Sequence, residues 1–443
     1  MAARSSVLAL LGGKKAVKSK PVSPTWPRFS RNAIQTVAKL LSDGKGISLG
    51  RSDIVLEAEA KFASYHGVRY ALAVSSGTAA LQCAVAGCNI GPGDEVITSP
   101  YSWGATTGCL LSMGAIPIFA DVLEETGLID PESVEKKITP RTRGIMIVHI
   151  YGQPCDMDPL LRIARKHGLA LMEDCSQAHG ATYRKRRVGG FGQASGFSCM
   201  GGKLLATTEM GMFITDDRDT YDRAILSSMH PQRQFFPVKP HGGGLSESYR
   251  KYADSLSPGY RTSDIECVLL LDQLPHLKEW NRNRARNRDE FARQVRDIEF
   301  IRFPTYPKHI KPVYHMATMR YDETKAGGVT RETFMAAVRA EGLWVDSYVR
   351  DPIPNWTRMH ARRYDGPTNL WMAGLKRSGV RYHLRDIPVC VELAGKTSVE
   401  MSFNTLTEPE ERRISQYARA FHKVTENLPA LLEWQKKQKR AKR

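Results

Sequence analysis

The stretch Tyr70-Ala71-Leu72-Ala73-Val74-Ser75-Ser76-Gly77-Thr78-Ala79-Ala80-Leu81 reads as a buried strand that stops in a polar turn and restarts as a helix. Five apolar residues in a row, too few for a helix, suit a strand covered on both faces. Two serines, a glycine and a threonine then interrupt the run before the alanine-rich helical pattern begins. Working outward, similar short runs recur at Glu95-Val96-Ile97-Thr98, Ile116-Pro117-Ile118-Phe119, Gly144-Ile145-Met146-Ile147-Val148 and Leu169-Ala170-Leu171-Met172-Glu173. Segments of helical length such as Pro159 to His167 separate them. Strands alternating with helices predict an α/β three-layer sandwich around a mostly parallel sheet. In such sheets ligands gather at the carboxyl ends of strands, so the residues that follow each run carry the functional interest.

The pattern changes near residue 286. A long charged helix from Trp280 to Val295 leads into shorter elements, with further helices near Arg331 to Glu341 and Glu408 to Val424. This predicts an N-terminal arm and helix over 1–50, a large cofactor-binding domain over 51–285, a smaller α+β domain over 286–430 and a basic tail over 431–443. Six of the last eight residues are Lys or Arg, which suggests a solvated tail. Arg184-Lys185-Arg186-Arg187 reads as a loop or hairpin turn, and His241-Gly242-Gly243-Gly244 as a mobile loop able to gate the cofactor domain.

The chain has 443 residues, 42% of them hydrophobic and 25% charged, which is ordinary for a globular protein. Its eight cysteines are scattered without C-x-x-C spacing, so neither a disulfide framework nor a metal site is expected. No stretch reaches membrane-spanning length and the first residues lack a signal-peptide core, so a cytoplasmic protein is expected. The formal charge of +18 could steer phosphorylated substrates or hold nucleic acid loosely. Basic residues are not interleaved with aromatics in any patch, and a nucleic-acid partner is not expected.

Three motifs carry chemistry. Ser75-Ser76-Gly77-Thr78-Ala79 places hydroxyls and a close-approach glycine at a helix N-terminus, the setting of a phosphate cradle or of a simple helix cap. Leu171-Met172-Glu173-Asp174-Cys175-Ser176-Gln177-Ala178-His179-Gly180 ends a strand in two carboxylates, suited to a metal, a helix cap or a pyridinium. Gly196-Phe197-Ser198-Cys199-Met200-Gly201-Gly202-Lys203 puts a hydroxyl and an amine on one tight loop between apolar segments. A lysine desolvated there loses its proton more readily, as a Schiff-base nucleophile must. A phosphate anchor, a carboxylate for a pyridine nitrogen and an amine for an aldehyde are together the needs of pyridoxal 5'-phosphate.

The chain resembles the DegT/DnrJ/EryC1/StrS sugar aminotransferase family of fold-type-I pyridoxal-phosphate enzymes. The resemblance rests on Tyr65-His66-Gly67, Ser76 to Leu81, Gly91 to Ile97, His149 to Asp158, Glu173 to Gly180 and Tyr260 to Ile265. Its wording is most similar to the branch that aminates keto-cyclitols and makes aminohydroxybenzoate. The resemblance implies that Lys203 forms the Schiff base and moves the proton, and that Asp174 pairs with the pyridinium. It places Gln177 near the phenolic oxygen, Ser176 against the ring and Trp103 stacked on it, with Gly77, Thr78 and Ser198 on the phosphate. It further implies a homodimer with the active site at the subunit interface. An amino donor, glutamate or glutamine, would serve a small-molecule keto substrate, a ketosugar or keto-cyclitol.

Departures from the family pattern also stand out. The family's Asn-Tyr-Arg is Gly259-Tyr260-Arg261 here, so the asparagine that commonly reaches the neighbouring subunit's phosphate has no counterpart. Thr208-Glu209-Met210-Gly211 replaces the usual Gly-Glu-Gly-Gly, and Cys199-Met200-Gly201-Gly202 is an unusual spacer before the lysine. The alternatives are a synthase or dehydratase of the same family, or a non-catalytic basic binding protein. Family dehydratases carry histidine where this chain has Lys203, which argues against that reaction.

Overall fold

The computed structural model describes residues 7–20, 25–46, 50–361 and 370–441. The five expected runs are all strands: β1 (Tyr70–Val74), β2 (Glu95–Thr98), β3 (Ile116–Phe119), β4 (Thr142–Val148) and β5 (Ala170–Asp174). Two more, β6 (Ala194–Ser198) and β7 (Gly211–Thr215), complete a seven-stranded sheet in the order β1-β7-β6-β5-β4-β2-β3. All its pairings are parallel except the two made by β7, which runs antiparallel to both β1 and β6.

Alternation along β1 shows why this is a three-layer sandwich. Ala71 and Ala73 enter one buried cluster with Phe62, Phe197 and Leu270; Leu72 and Val74 enter another with Leu81, Met172 and Ile225. Successive strand residues point to opposite faces, so a strand apolar at every position must be covered twice. Helices α1 (Arg31–Ser42), α2 (Asp53–His66), α3 (Gly77–Gly87), α4 (Gly104–Ser112) and α5 (Met157–His167) belong to this N-terminal part.

The second domain holds a four-stranded antiparallel sheet with β8 (Ile301–Arg302), β9 (Met316–Tyr321), β10 (Val345–Asp346) and β11 (Ser398–Ser402) in the order β8-β9-β11-β10. Helix α6 (Leu277–Gln294) joins the domains; at 18 residues it is roughly 27 Å long. Leu277 lies in the core of the large domain, whereas Phe291 meets Phe403 and Phe421 in the core of the small one. Helices α7 (Arg331–Ala340), α8 (Glu411–Glu426) and α9 (Leu428–Ala441) send Phe334, Phe421 and Leu431 into the same core as Met319 and Val399 of the small sheet.

The N-terminal arm is docked. Leu8 is fully buried in the small-domain core, and Glu341 accepts the N–H groups of Ala9 and Ala16 while pairing with Lys423.

Two expectations need correction. The basic tail is a helix through Ala441, anchored by buried Leu431 and by Gln435, which accepts from Thr330 and donates to the Gly328 carbonyl; Lys436, Lys437, Lys439 and Arg440 are solvated as expected. The Gly242-Gly243 segment is a packed hairpin strand. The Gly243 carbonyl accepts from Arg233 Nε at 2.8 Å, and that buried guanidinium pairs with Glu59 at 2.6 Å. The hairpin sits at the start of β1, where Ala71 N–H meets the His241 carbonyl, and so does not gate this chain's own pocket at the opposite end of the strand. The Arg184 to Arg187 run is the expected hairpin turn, with Arg184 and Lys185 at positive φ.

Candidate active site

The carboxyl ends of β1, β4, β5 and β6 meet at one edge of the large sheet. Val148 pairs with Asp174, Asp174 with Gly196 and Ser198 with Gly211, which itself pairs with Val74. Above these ends lies a cavity of about 360 Å³, within the range of small-molecule sites. Gly77, Thr78, Trp103, Asp174, Ser176, Gln177, Ser198 and Lys203 all line it. The structure therefore brings together every site residue expected from the sequence.

At the first wall the turn after β1 opens α3. Ser76 is its cap, its hydroxyl oxygen accepting the Ala79 N–H at 3.1 Å. The N–H groups of Gly77 and Thr78 have no acceptor inside the helix and carry the positive end of its dipole. A side chain at residue 77 would put its Cβ 2.5 Å from Ser198 Cβ. The glycine thus lets the helix start touch the end of β6, which sets two N–H groups beside a hydroxyl. That is a cradle for a tetrahedral anion.

Asp174 is buried at the end of β5. Its Oδ2 accepts from Thr106 Oγ1 at 2.7 Å and its Oδ1 from the Ser176 N–H at 3.1 Å. Thr106 in turn lies 2.8 Å from Ser102 Oγ, so α4 holds the carboxylate in place. Glu173, one residue earlier, points to the other face. It accepts from His149 Nε2 at 3.0 Å and from the N–H groups of Gly189, Phe191 and Gly192 at 2.7 to 2.8 Å. His149 Nδ1 meanwhile accepts from Cys155 N–H at 3.0 Å. The His149, Glu173 and Cys175 trio, compact enough for a metal ion, thus already spends its histidine and carboxylate atoms inside the protein. The strand's alternation resolves what the sequence left open: of the two carboxylates, only Asp174 faces the cavity.

Lys203 stands across the cavity, half-buried. Desolvation by its surroundings lowers its pKa below the ordinary lysine value, and the Asp174 charge opposes that only in part. Among the described residues no hydrogen bond or ion pair engages its amine. Gln177 is held at both ends: its Oε1 accepts the Tyr151 N–H at 2.6 Å and its Nε2 donates to the Tyr348 hydroxyl at 3.0 Å. Trp103 is 63% exposed, its ring centroid 6.1 Å from that of Tyr348, an apolar face presented to the cavity.

Several lining residues escaped the sequence reading, chief among them His315, Tyr348, Glu209 and Met200. His315 and Tyr348 come from the small domain. Burial, followed by the nearby Lys203 charge, drives the His315 imidazole well below its ordinary pKa, and its buried Nδ1 has no hydrogen-bond partner among the described residues. Burial pushes the Tyr348 hydroxyl up to about 12, with Asp174 adding to the effect. Nothing local in the sequence marks either residue, because only the docking of the two domains brings them to the cavity. The Gly259 that replaces the family asparagine has a positive φ of 72° and does not line the cavity in this chain.

Among the described residues no helix is long and apolar enough to cross a membrane. Residues 27–370 match the DegT/DnrJ/EryC1/StrS aminotransferase family. An L-glutamine:scyllo-inosose aminotransferase of Streptomyces griseus is 33% identical over 437 residues, spanning 96% of this chain and 98% of that protein. A spore coat polysaccharide biosynthesis protein of Bacillus subtilis is 36% identical over 317 residues, covering 71% of this chain and 79% of its own length. The crystal structure of an aminotransferase from Psychrobacter cryohalolentis superimposes with a TM-score of 0.76 at 26% identity, over 91% of this chain and 99% of that one. The expected family is thereby established: the chain belongs to the DegT/DnrJ/EryC1/StrS aminotransferase family.

Proposed function

We propose that this aminotransferase uses pyridoxal 5'-phosphate to move an amino group from glutamine or glutamate to a keto-cyclitol or ketosugar. The carrying observation is the convergence, in one cavity, of the Gly77-Ser198 cradle, the buried Asp174 carboxylate and the unengaged Lys203 amine. These parts fit the cofactor. Gly77, Thr78 and Ser198 would hold its phosphate, Asp174 its protonated ring nitrogen, Gln177 its ring hydroxyl and Lys203 its aldehyde carbon. Trp103 would cover one ring face, with Ser176 against the ring. Bound there, the cofactor supplies a conjugated ring that takes up the electron pair left when a substrate carbon loses its proton.

The chain's own residues supply the rest. Asp174, held by the Thr106 hydroxyl and the Ser176 N–H, presents its carboxylate to the cavity and favours a proton on the group opposite. Lys203, shifted toward its neutral amine form by desolvation, can take a proton from a substrate carbon and return it one position away. Tyr348 fixes the Gln177 amide, and neutral His315 offers a hydrogen-bonding edge to a hydroxyl-rich substrate.

The donor preference follows the similar Streptomyces protein, whose name specifies glutamine and scyllo-inosose. By family analogy the working unit would be a homodimer in the cytoplasm. The test is a steady-state assay with glutamine or glutamate against scyllo-inosose and a nucleotide-linked ketosugar. Amination of one acceptor class, with parallel-line ping-pong kinetics, is expected. No amine product from any donor and acceptor pair, with cofactor bound, would rule the transfer out.

A further inference from the structure

Three successive carbonyls flank the Lys203 Cα, and each accepts from a side chain of a different element. Asn404, just past β11 in the small domain, donates from Nδ2 to the Gly202 carbonyl at 2.8 Å. Trp26, on the N-terminal arm, donates its indole N–H to the Lys203 carbonyl at 3.1 Å. Arg284, on the domain-bridging α6, reaches the Leu204 carbonyl from Nη2 at 3.3 Å.

The three donors are also tied to one another. Arg284 Nε donates to the Asn404 backbone carbonyl at 2.8 Å, and its guanidinium lies 5.2 Å from the centre of the Trp26 ring. Trp26 meets Trp280 edge-on at 5.3 Å. Arg284 is fully buried, and no carboxylate pairs with it among the described residues. A buried guanidinium without a counter-charge is costly, and burial accordingly lowers its pKa. Such a group persists where carbonyl dipoles replace water, and here those dipoles belong to Asn404, to the Asn281 side-chain amide at 2.8 Å and to the lysine loop.

We propose that Trp26, Arg284 and Asn404 are positioning residues for Lys203, fixing the backbone on both sides of its Cα so that the amine meets the cavity at one angle. The clamp also couples distant parts of the chain, since the N-terminal arm and the small domain both hold the lysine loop. The proposal rests on the reading of Lys203 as the reactive amine.

The test is borohydride trapping of pyridoxal phosphate on the purified apo-protein, with the labelled peptide located by mass and the trapping rate followed against pH. Trp26→Phe keeps a ring against Trp280 and Arg284 and deletes only the N–H; Asn404→Ala deletes the other donor. Each loss is expected to slow trapping at Lys203 about fivefold, and the two together roughly twentyfold. The pH midpoint of trapping is expected to rise toward the ordinary lysine value as the loosened amine gains solvent, with circular dichroism unchanged. A fold defect alone would lower the amount of active protein without moving that midpoint. Wild-type and variant proteins that trap at one rate with one midpoint would overturn the clamp. Wild type that traps at no single lysine would instead overturn the reading of Lys203 itself.

Discussion

Replacing Gly77 by alanine tests the cradle through its tightest contact. The added Cβ would lie 2.5 Å from Ser198 Cβ and 2.9 Å from Ser198 Cα, where about 3.5 to 4 Å is comfortable. The helix start and the end of β6 must therefore separate by roughly 1 Å. Little around them can give: Gly211, paired with Ser198, is itself so close to the Ser76 carbonyl that a Cβ there would sit 2.2 Å away. Strain of this kind costs about 1 to 3 kcal/mol, a few degrees of melting temperature for each kcal/mol in a domain of this size. The effect on an anion is larger. A hydrogen bond of about 2.9 Å stretched by 1 Å leaves the bonding range, and one to a charged group contributes about 1.5 to 3 kcal/mol. Affinity for pyridoxal phosphate is thus expected to fall about 10- to 100-fold. Titration of the apo-protein, read by bound-cofactor absorbance, gives that number, and thermal unfolding without cofactor gives the cost in stability. A folded Gly77→Ala protein that binds the cofactor as tightly as wild type would refute the cradle.

Other expectations follow from the same geometry. Asp174→Asn keeps the Thr106 contact but removes the charge, and should cut kcat by about 100-fold or more in the transamination assay while the cofactor still binds. Tyr348→Phe frees the Gln177 amide at one end; a loss of about fivefold in kcat/KM is expected, and an unchanged value would remove Tyr348 from the site. His315 is held neutral far below pH 6.5, so His315→Asn should leave the acid limb of the pH–rate profile in place, and a shifted limb would show that the imidazole titrates there. Burial pushes the Glu173 carboxyl up, but the His149 and backbone donors outweigh it and leave its folded pKa below the ordinary 4.5. Its stabilisation is therefore full above that value and lost as pH falls below it. Urea unfolding of wild type and Glu173→Gln should differ by about 2 to 4 kcal/mol at neutral pH and converge in acid; a constant difference would contradict the assignment.

The large domain was legible because its strands are short apolar runs, each stopped by polar turn residues, and the parallel sheet forces function to their ends. The Ser76-Gly77-Thr78, Asp174 and Lys203 motifs could be placed because each lies at the carboxyl end of a strand or within a few residues of it. The small domain's share was not legible: Tyr348 and His315 reach the cavity only through packing between residues more than a hundred positions apart. The tail misled because its lysines outnumber the two residues that anchor it, Leu431 and Gln435, which show no period by themselves. The Gly242-Gly243 hairpin misled for a related reason. Glycines there permit close packing against Tyr221, where an added Cβ on Gly242 would come within 2.3 Å of the phenol oxygen.

Absorbance spectra of wild type and Lys203→Ala, each with pyridoxal phosphate and then with glutamine or glutamate, test the central claim most directly. Wild type is expected to show a visible band from covalently held cofactor that a donor bleaches toward the amine form. Lys203→Ala should lack that band and its bleaching. A wild-type protein that takes up no cofactor, or a Lys203→Ala protein with the same band and the same response, would contradict the account.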